Sequence, residues 1–94
     1  MMKATIAYIL VKTASGSALK VAEAIAGIAG VHWASAITGP YDVIVGVRAS
    51  DNEALGTLVV EGIHKIAGVI STTTGVTSAY YPGADTPFVV GGAP

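Results

Sequence analysis

The chain has 94 residues, a formal net charge of -1 and no cysteine. This length fits one small domain, and the missing cysteines exclude a disulfide framework and a thiolate metal site. The five lysine and arginine residues are scattered and do not form the basic patch that direct nucleic-acid binding needs. Only 12% of the residues are charged and 52% are apolar. Because about 25% charged is usual, we expect part of the surface to be buried against other subunits.

Two segments could be mistaken for targeting signals. The start, Lys3 followed by ATIAYILV, weakly resembles a signal peptide, but Lys12 interrupts the apolar run early. The uncharged residues 24–41 are broken by glycines and by Pro40, whereas a membrane span needs about 20 mostly apolar residues. We therefore expect a soluble cytoplasmic domain without a membrane partner.

The first half of the chain predicts a strand, a helix and a second strand. Residues 4–12 are apolar on both alternating faces, which is typical of a strand covered on both sides. A turn at residues 15–17 leads into a helix that is predicted to stop at Gly30. The apolar stripe of this helix is Leu19, Ala22, Ile25 and Ile28. Residues 31–38 form the second predicted strand, and one of its faces carries Val31, Trp33, Ser35 and Ile37.

The second half repeats this order. A turn at Gly39-Pro40 precedes a strand over residues 42–49, and residues 69–79 form the last strand. Between them, Ser50 and Glu53 have the spacing of a capping box. An amphipathic helix follows, with Leu55, Leu58, Val59, Gly62, Ile63 and Ile66 on one side.

The two halves echo each other, since GIAGV at residues 27–31 matches KIAGV at residues 65–69. Two βαβ units joined by a turn predict a ferredoxin-like βαββαβ sandwich of the α+β class. Its four-stranded antiparallel sheet would have both helices on one face, so the other apolar face must meet a partner. We expect residues 1–79 to form this domain. The Pro- and Gly-rich residues 80–94 form a tail that is disordered or docks Phe88-Val89-Val90 on a neighbouring subunit.

The runs TGPYDVIVGV, DNEALGTLVVEGIHKIAGV and STTT together resemble the effector-binding domain of the Lrp/AsnC (feast/famine) transcription regulators, also called the regulation-of-amino-acid-metabolism domain. The resemblance covers residues 5–77 and includes Gly-x-Tyr-Asp before an apolar strand. Ala29 and Ala67 replace the proline that the family often has before Gly-Val, which affects loop stiffness rather than the fold. Full-length members carry an N-terminal helix-turn-helix. This chain starts on the first strand of the domain, so we expect the stand-alone form.

The resemblance implies a homodimer of the dimeric α/β-barrel type, paired sheet to sheet and assembled into an octamer or a similar ring. It also implies a small amino-acid effector held between dimers, and a full-length Lrp/AsnC regulator is a further candidate partner. The residues that would contact the effector are Thr38, Gly39, Tyr41, Asp42, Thr72 and Thr74. Asp42 would bind the ammonium group, and N–H groups of the 39–41 turn would bind the carboxylate. No cofactor, metal or catalytic residue is predicted.

Other interpretations remain open. Asp42 can simply cap backbone amides after its turn, and threonines are ordinary in a half-exposed strand. His32 and His64 have no second ligand at metal-binding spacing. A small ferredoxin-like enzyme of the monooxygenase type could use His32 or Trp33, but the sequence shows no nucleophile with a nearby base, so we predict that the protein is not an enzyme. The third alternative is a pure oligomerisation module.

Overall fold

The computed structural model describes residues 4–81 and 83–84, so the predicted docking residues 88–90 lie outside the described part of the chain. Four strands and two helical segments alternate in the predicted βαββαβ order. Their bounds are β1 Thr5–Thr13, α1 Ala18–Ala26, β2 Val31–Ala36, β3 Val43–Ala49, α2 Asn52–Thr57 and β4 Val69–Val76. None of the helices in the described residues is both long enough and apolar enough to span a membrane.

The four strands form one sheet in the order β2-β3-β1-β4, and each neighbouring pair is antiparallel. This order and the two crossover helices confirm the predicted ferredoxin-like sandwich. β1 is central: Ile9 pairs with Val45 of β3 on one side and with Thr74 of β4 on the other. β2 and β4 are therefore the edge strands.

The hydrophobic core lies between the sheet and the helices. Alternate residues of β1 and β3 are buried there, and they pack against three buried residues of α1. These residues are Ala7, Ile9, Val11, Val43, Val45, Val47, Val21, Ala22 and Ile25. The predicted stripe of α1 is wrong at Leu19, which is 77% exposed. A step of three residues is shorter than one helical turn, so a stripe with this spacing drifts around the helix. Leu19 therefore lies outside the buried side of α1, which is formed by Val21, Ala22 and Ile25.

The second helical segment, residues 52–65, changes its pitch twice. It starts as α2, continues as a π-helix over Leu58–Gly62 and ends as a 3-10 turn over Ile63–Lys65. The predicted Ser50/Glu53 capping box is wrong. Asp51 is the N-cap, and its carboxylate accepts a 2.8 Å hydrogen bond from the N–H of Ala54.

A glycine directly precedes each of the two edge strands, β2 and β4. Gly30 and Gly68 have φ values of +95° and +99°, a region that disfavours other residues. Each glycine carbonyl accepts a hydrogen bond from a backbone N–H near the end of a neighbouring strand: Arg48 in β3 donates to Gly30 (2.9 Å), and Ala14, just after β1, donates to Gly68 (2.8 Å). The internal echo of the sequence is therefore also an echo of backbone structure.

The face of the sheet that points away from the helices, called here the open face, is largely apolar. It includes Ile6, Tyr8 and Leu10 of β1, and the residues opposite them on β3 are Arg48, Gly46 and Ile44. β2 contributes Trp33 opposite Gly46, whereas Val31 pairs with Val47 on the helix side. A register shift between these two residues leaves His32 as one extra residue, as in a β-bulge. The bulge is why Val31 and Trp33 do not share a face as predicted.

Candidate functional site

One hydrogen bond closes the turn before β3, and two others fix it to the end of β1. The N–H of Ile37 donates to the carbonyl of Asp42 (2.9 Å) and closes the turn. The N–H of Asp42 donates to the carbonyl of Val11 (2.9 Å), and Lys12 Nζ donates to the carbonyl of Pro40 (3.0 Å). Gly39 has a φ of +143°, which only glycine adopts readily. The turn is thus a rigid platform rather than a loose loop.

The Asp42 carboxylate has a structural partner in the chain. Its Oδ2 accepts a 2.9 Å hydrogen bond from the backbone N–H of Thr13, and the residue is half-buried. This is the capping contact that the sequence left open as an alternative. An ionised carboxylate offers about four acceptor positions, and the Thr13 bond uses one of them. Asp42 can therefore cap β1 and still accept a cationic group.

Tyr41 reaches across the open face from the turn to β4. Its hydroxyl lies 3.2 Å from Thr73 Oγ1. Thr73 pairs with Leu10, which lies on the open face. The turn cluster is the name used below for Tyr41 and Asp42, their partners Thr73 and Thr13, and Lys12, which donates to the Pro40 carbonyl. Thr38 and Gly39, at the start of the turn, are exposed beside it.

Thr72 and Thr74 lie on the other face of the sheet. They pair with Val11 and Ile9, whose side chains are buried beneath the helices. Asp42 and Thr72 flank β1 on opposite sides, so their backbones are two strand spacings apart, roughly 10 Å. Within one chain, the predicted effector residues therefore form two groups, with Tyr41 and Asp42 in one and Thr72 and Thr74 in the other.

The Thr72 hydroxyl is hydrogen-bonded to a histidine, His64, that the sequence did not place in the candidate site. His64 Nε2 lies 2.8 Å from Thr72 Oγ1 and connects the 3-10 turn to β4. The bond could not be read from the sequence, because it depends on which alternate residues of β4 face the helices. For the same reason, the sequence did not predict the contact between Tyr41 and Thr73.

Two cavities lie along β4 on the helix side, where the helices leave much of the edge strand exposed. Ile70 and Val76 of β4 are 64% and 53% exposed there. One cavity of about 360 Å³ lies at His64 and Thr72, and a separate cavity of about 300 Å³ lies at Val60 and Thr74. We call the two together the β4 groove. None of the described residues that line it is Asp, Glu, Lys or Arg.

The open face carries a second, aromatic groove of about 1000 Å³. The rings of Tyr8 and Trp33 meet at a tilt of 46° with centroids 6.1 Å apart. Tyr80, the described start of the tail, lines the same groove, as does His32 of the bulge. Trp33 and Tyr8 are 39% and 43% exposed, so this surface is uncovered in the single chain.

Fold and sites together define a ferredoxin-like α+β domain with a rigid turn at one end of its sheet and an uncovered apolar face. The family model of the Lrp/AsnC ligand binding domain matches residues 6–81, and the chain belongs to this family. The resemblance seen in the sequence is thereby confirmed.

The relatives are regulators that are about twice as long. An uncharacterized HTH-type transcriptional regulator of Pyrococcus abyssi is 40% identical over 73 residues, which are 74% of this chain and 49% of the relative. The chain therefore spans about half the length of the curated relatives it matches.

Two solved structures illustrate the similarity of the fold. TTHA0845 from Thermus thermophilus superposes with a TM-score of 0.77 at 33% identity, covering 84% of this chain and 99% of that one. The Neisseria meningitidis transcriptional regulator NMB0573, solved as a complex with L-Met, has a TM-score of 0.75 at 19% identity. That match covers 88% of this chain and 56% of the regulator, and it shows the fold alone.

Proposed function

We propose that this domain binds a small free amino acid as an effector, oligomerises, and acts in transcription regulation in the cytoplasm through a partner that carries a DNA-binding domain. The observation that carries the proposal is the match of residues 6–81 to the Lrp/AsnC ligand binding domain. The L-Met complex of the structurally similar Neisseria regulator gives further support. In this proposal the domain is a regulatory module and not an enzyme.

The proposed dimer pairs two open faces. Ile6, Tyr8 and Trp33 together expose a large apolar surface at the centre of a sheet that has no helices on that side. Surfaces of this kind usually mark protein–protein contacts, and aromatic residues often dominate the binding energy of such contacts. Dimers would then assemble into an octamer or a similar ring.

The separation of the two groups of candidate residues supports an effector site shared between chains. Asp42 and Tyr41 belong to the turn cluster, whereas Thr72 and Thr74 line the β4 groove on the other face. A ligand that touches both sets would have to lie where the turn of one subunit approaches β4 of another. This is the site between dimers that the proposal requires.

The chemistry of the turn suits the backbone of an amino acid. The Asp42 carboxylate would accept the ammonium group in a charge-assisted bond. N–H groups of the turn at Gly39 and Tyr41 would donate to the effector carboxylate, and Pro40 would contribute no donor. The threonine hydroxyls would complete the polar contacts.

Calorimetry with the effector found by a thermal-shift screen of amino acids tests the site. Asp42→Asn keeps an acceptor for the Thr13 N–H but removes the charge, so affinity should fall by roughly 10- to 100-fold. Thr72→Val should have a smaller effect, because a neutral hydroxyl contributes about 1 kcal/mol. Arg48→Gln, at the far end of β3, is the control. If Asp42→Asn binds the effector with unchanged affinity, the Asp42 carboxylate only caps the N–H of Thr13.

Light scattering tests the assembly. Tyr8→Asp places a charge in the centre of the open face, and burying an unpaired charge is unfavourable, so the particle should become smaller while circular dichroism shows an intact fold. Ala24→Glu, on the exposed side of α1, is the matched control and should leave the mass unchanged. A 9.4 kDa particle for the parent protein at micromolar concentration would contradict the dimer.

A gel shift tests the dependence on a partner. With a net charge of -1, the purified chain should not bind duplex DNA at physiological salt. A full-length Lrp/AsnC regulator is the proposed partner, and mixing the two should produce a mixed oligomer that binds DNA. Tight, sequence-specific binding by this chain alone would overturn the proposal.

A further inference from the structure

The β4 groove is the part of the candidate site that is suited to selecting among effectors. Thr72 and Thr74 place hydroxyls on its floor, and both are candidate effector contacts. Beyond Thr74 the walls are apolar and belong to Leu55, Val59 and Val60 of the second helical segment and to Val76 of β4. The groove therefore has a polar end and an apolar end on one continuous strand.

The polar end is fixed by the hydrogen bond between His64 and Thr72 (2.8 Å). The apolar end begins at Thr74, two residues further along β4, which corresponds to about 7 Å. A free amino acid has the same division, since its charged ammonium and carboxylate groups lie on one side of Cα and its side chain on the other. Its polar groups would lie near the threonines and the turn of a neighbouring subunit, with its side chain toward Val60 and Val76.

The lining of the apolar end decides which side chains fit. It contains one amide, Asn52, and one hydroxyl, Thr74, and none of its lining residues in the described chain is acidic or basic. A charged side chain placed there would lose water without gaining an ionic partner, which is strongly unfavourable. An aliphatic or thioether side chain would instead gain free energy from the apolar surface it removes from water.

We propose that the β4 groove holds the effector side chain and that the effector is therefore an amino acid with an uncharged, apolar side chain. This inference rests on the proposed function. It adds the class of effector and four selecting residues, Leu55, Val59, Val60 and Val76.

Isosteric amino acids provide the test. Leucine, asparagine and aspartate have nearly the same shape, and calorimetry with each measures selectivity without a change of size. Leucine should bind most tightly, and aspartate should bind at least roughly 100-fold more weakly. If aspartate binds as tightly as leucine, the inference is overturned and the proposed function stands. If none of the amino acids in a full thermal-shift panel binds, the proposed function itself fails, and this inference fails with it.

Two variants connect the selectivity to the groove. Val76→Asp introduces a carboxylate at a 53% exposed wall position, so leucine affinity should fall about 10-fold or more while lysine affinity rises. Val60→Thr conserves shape, is expected to fold normally, and should lower leucine affinity by a few fold. Leu19→Asp, at an exposed position of α1, is the matched control.

Two outcomes would contradict the groove assignment. Unchanged selectivity in both Val76→Asp and Val60→Thr would place the selecting residues elsewhere. A loss of oligomer mass in Val76→Asp, with leucine affinity per chain unchanged, would show that a second copy of the chain occupies the groove.

Discussion

The indole of Trp33 lies directly over the backbone of Gly46 on the adjacent strand. A Cβ atom at Gly46 would stand 2.5 Å from both Cε2 and Nε1 of the indole. Gly46 is not among the glycines with positive φ, so this position needs glycine for space and not for backbone conformation. The missing side chain lets the indole pack against the backbone of β3 beside Tyr8.

Gly46→Ala should therefore displace the indole. Overpacking of this kind lowers the free energy of unfolding by about 1–3 kcal/mol. Trp33 is the only tryptophan in the chain, so its fluorescence spectrum reports the displacement directly, and denaturant titration gives the change in stability.

Gly75→Ala is the control, because Gly75 pairs with Tyr8 on the same face and a Cβ atom there meets nothing within 4 Å. It should leave the fluorescence spectrum unchanged. Equal spectral changes in both variants would mean that the Trp33–Gly46 contact does not set the ring position.

Asp42→Ala should destabilise the fold more than Asp42→Asn. Alanine leaves the N–H of Thr13 without its acceptor, and an unmet hydrogen bond at a buried residue costs about 1–3 kcal/mol. The amide oxygen of asparagine can still accept this bond. Chemical denaturation of the two variants measures the capping role apart from the proposed effector binding, and equal losses would show that the Asp42–Thr13 bond does not stabilise the fold.

Asp51→Ala should lower the free energy of unfolding by about 0.5–2 kcal/mol, because it removes the N-cap of α2. Ser50→Ala, one residue earlier, removes a hydroxyl that does not cap the helix and should have almost no effect. Thermal unfolding of the pair checks the assignment. A larger loss for Ser50→Ala would restore the capping box.

Thr77→Val should be neutral or stabilising. The Thr77 hydroxyl oxygen is buried without a hydrogen-bond partner in the described chain, whereas its backbone N–H donates to the carbonyl of Ile6 (2.8 Å). Valine has nearly the same shape and removes the unpaired polar atom. Denaturation measurements should show no loss of stability, and a loss above about 1 kcal/mol would indicate an undetected hydroxyl partner.

Much of the fold follows from local patterns. The period-2 apolar residues of β1 and β3 and the 0, 3, 4, 7 spacing behind Asp51 predicted the sheet and the second helix, since burial on one side imposes those periods. The repeated Gly-Val marked the two left-handed turns at Gly30 and Gly68. These features depend on neighbours in sequence, which is why one sequence suffices to find them.

The arrangement of the candidate site depends on pairing between strands, and it was harder to predict from the sequence than the fold. The extra residue at His32 reverses the alternation of β2, and only the register with β3 reveals it. For β4, the alternation shows that Thr72 and Thr74 share a face but not which face. Ile70 and Val76 are apolar residues of the same parity, yet both are exposed. Hydrophobicity in the sequence therefore does not identify the buried face of β4.

The proposed assembly would also protect the two edge strands from uncontrolled pairing. Val31–Ala36 and Val69–Val76 contain no Pro, Asp, Glu, Lys or Arg, although charges and proline are the usual means of preventing uncontrolled strand pairing. Quaternary structure would then also act as a safeguard against amyloid-like growth. Dissociated protein should become thioflavin-positive on storage, and a single lysine placed in β4 should delay that conversion.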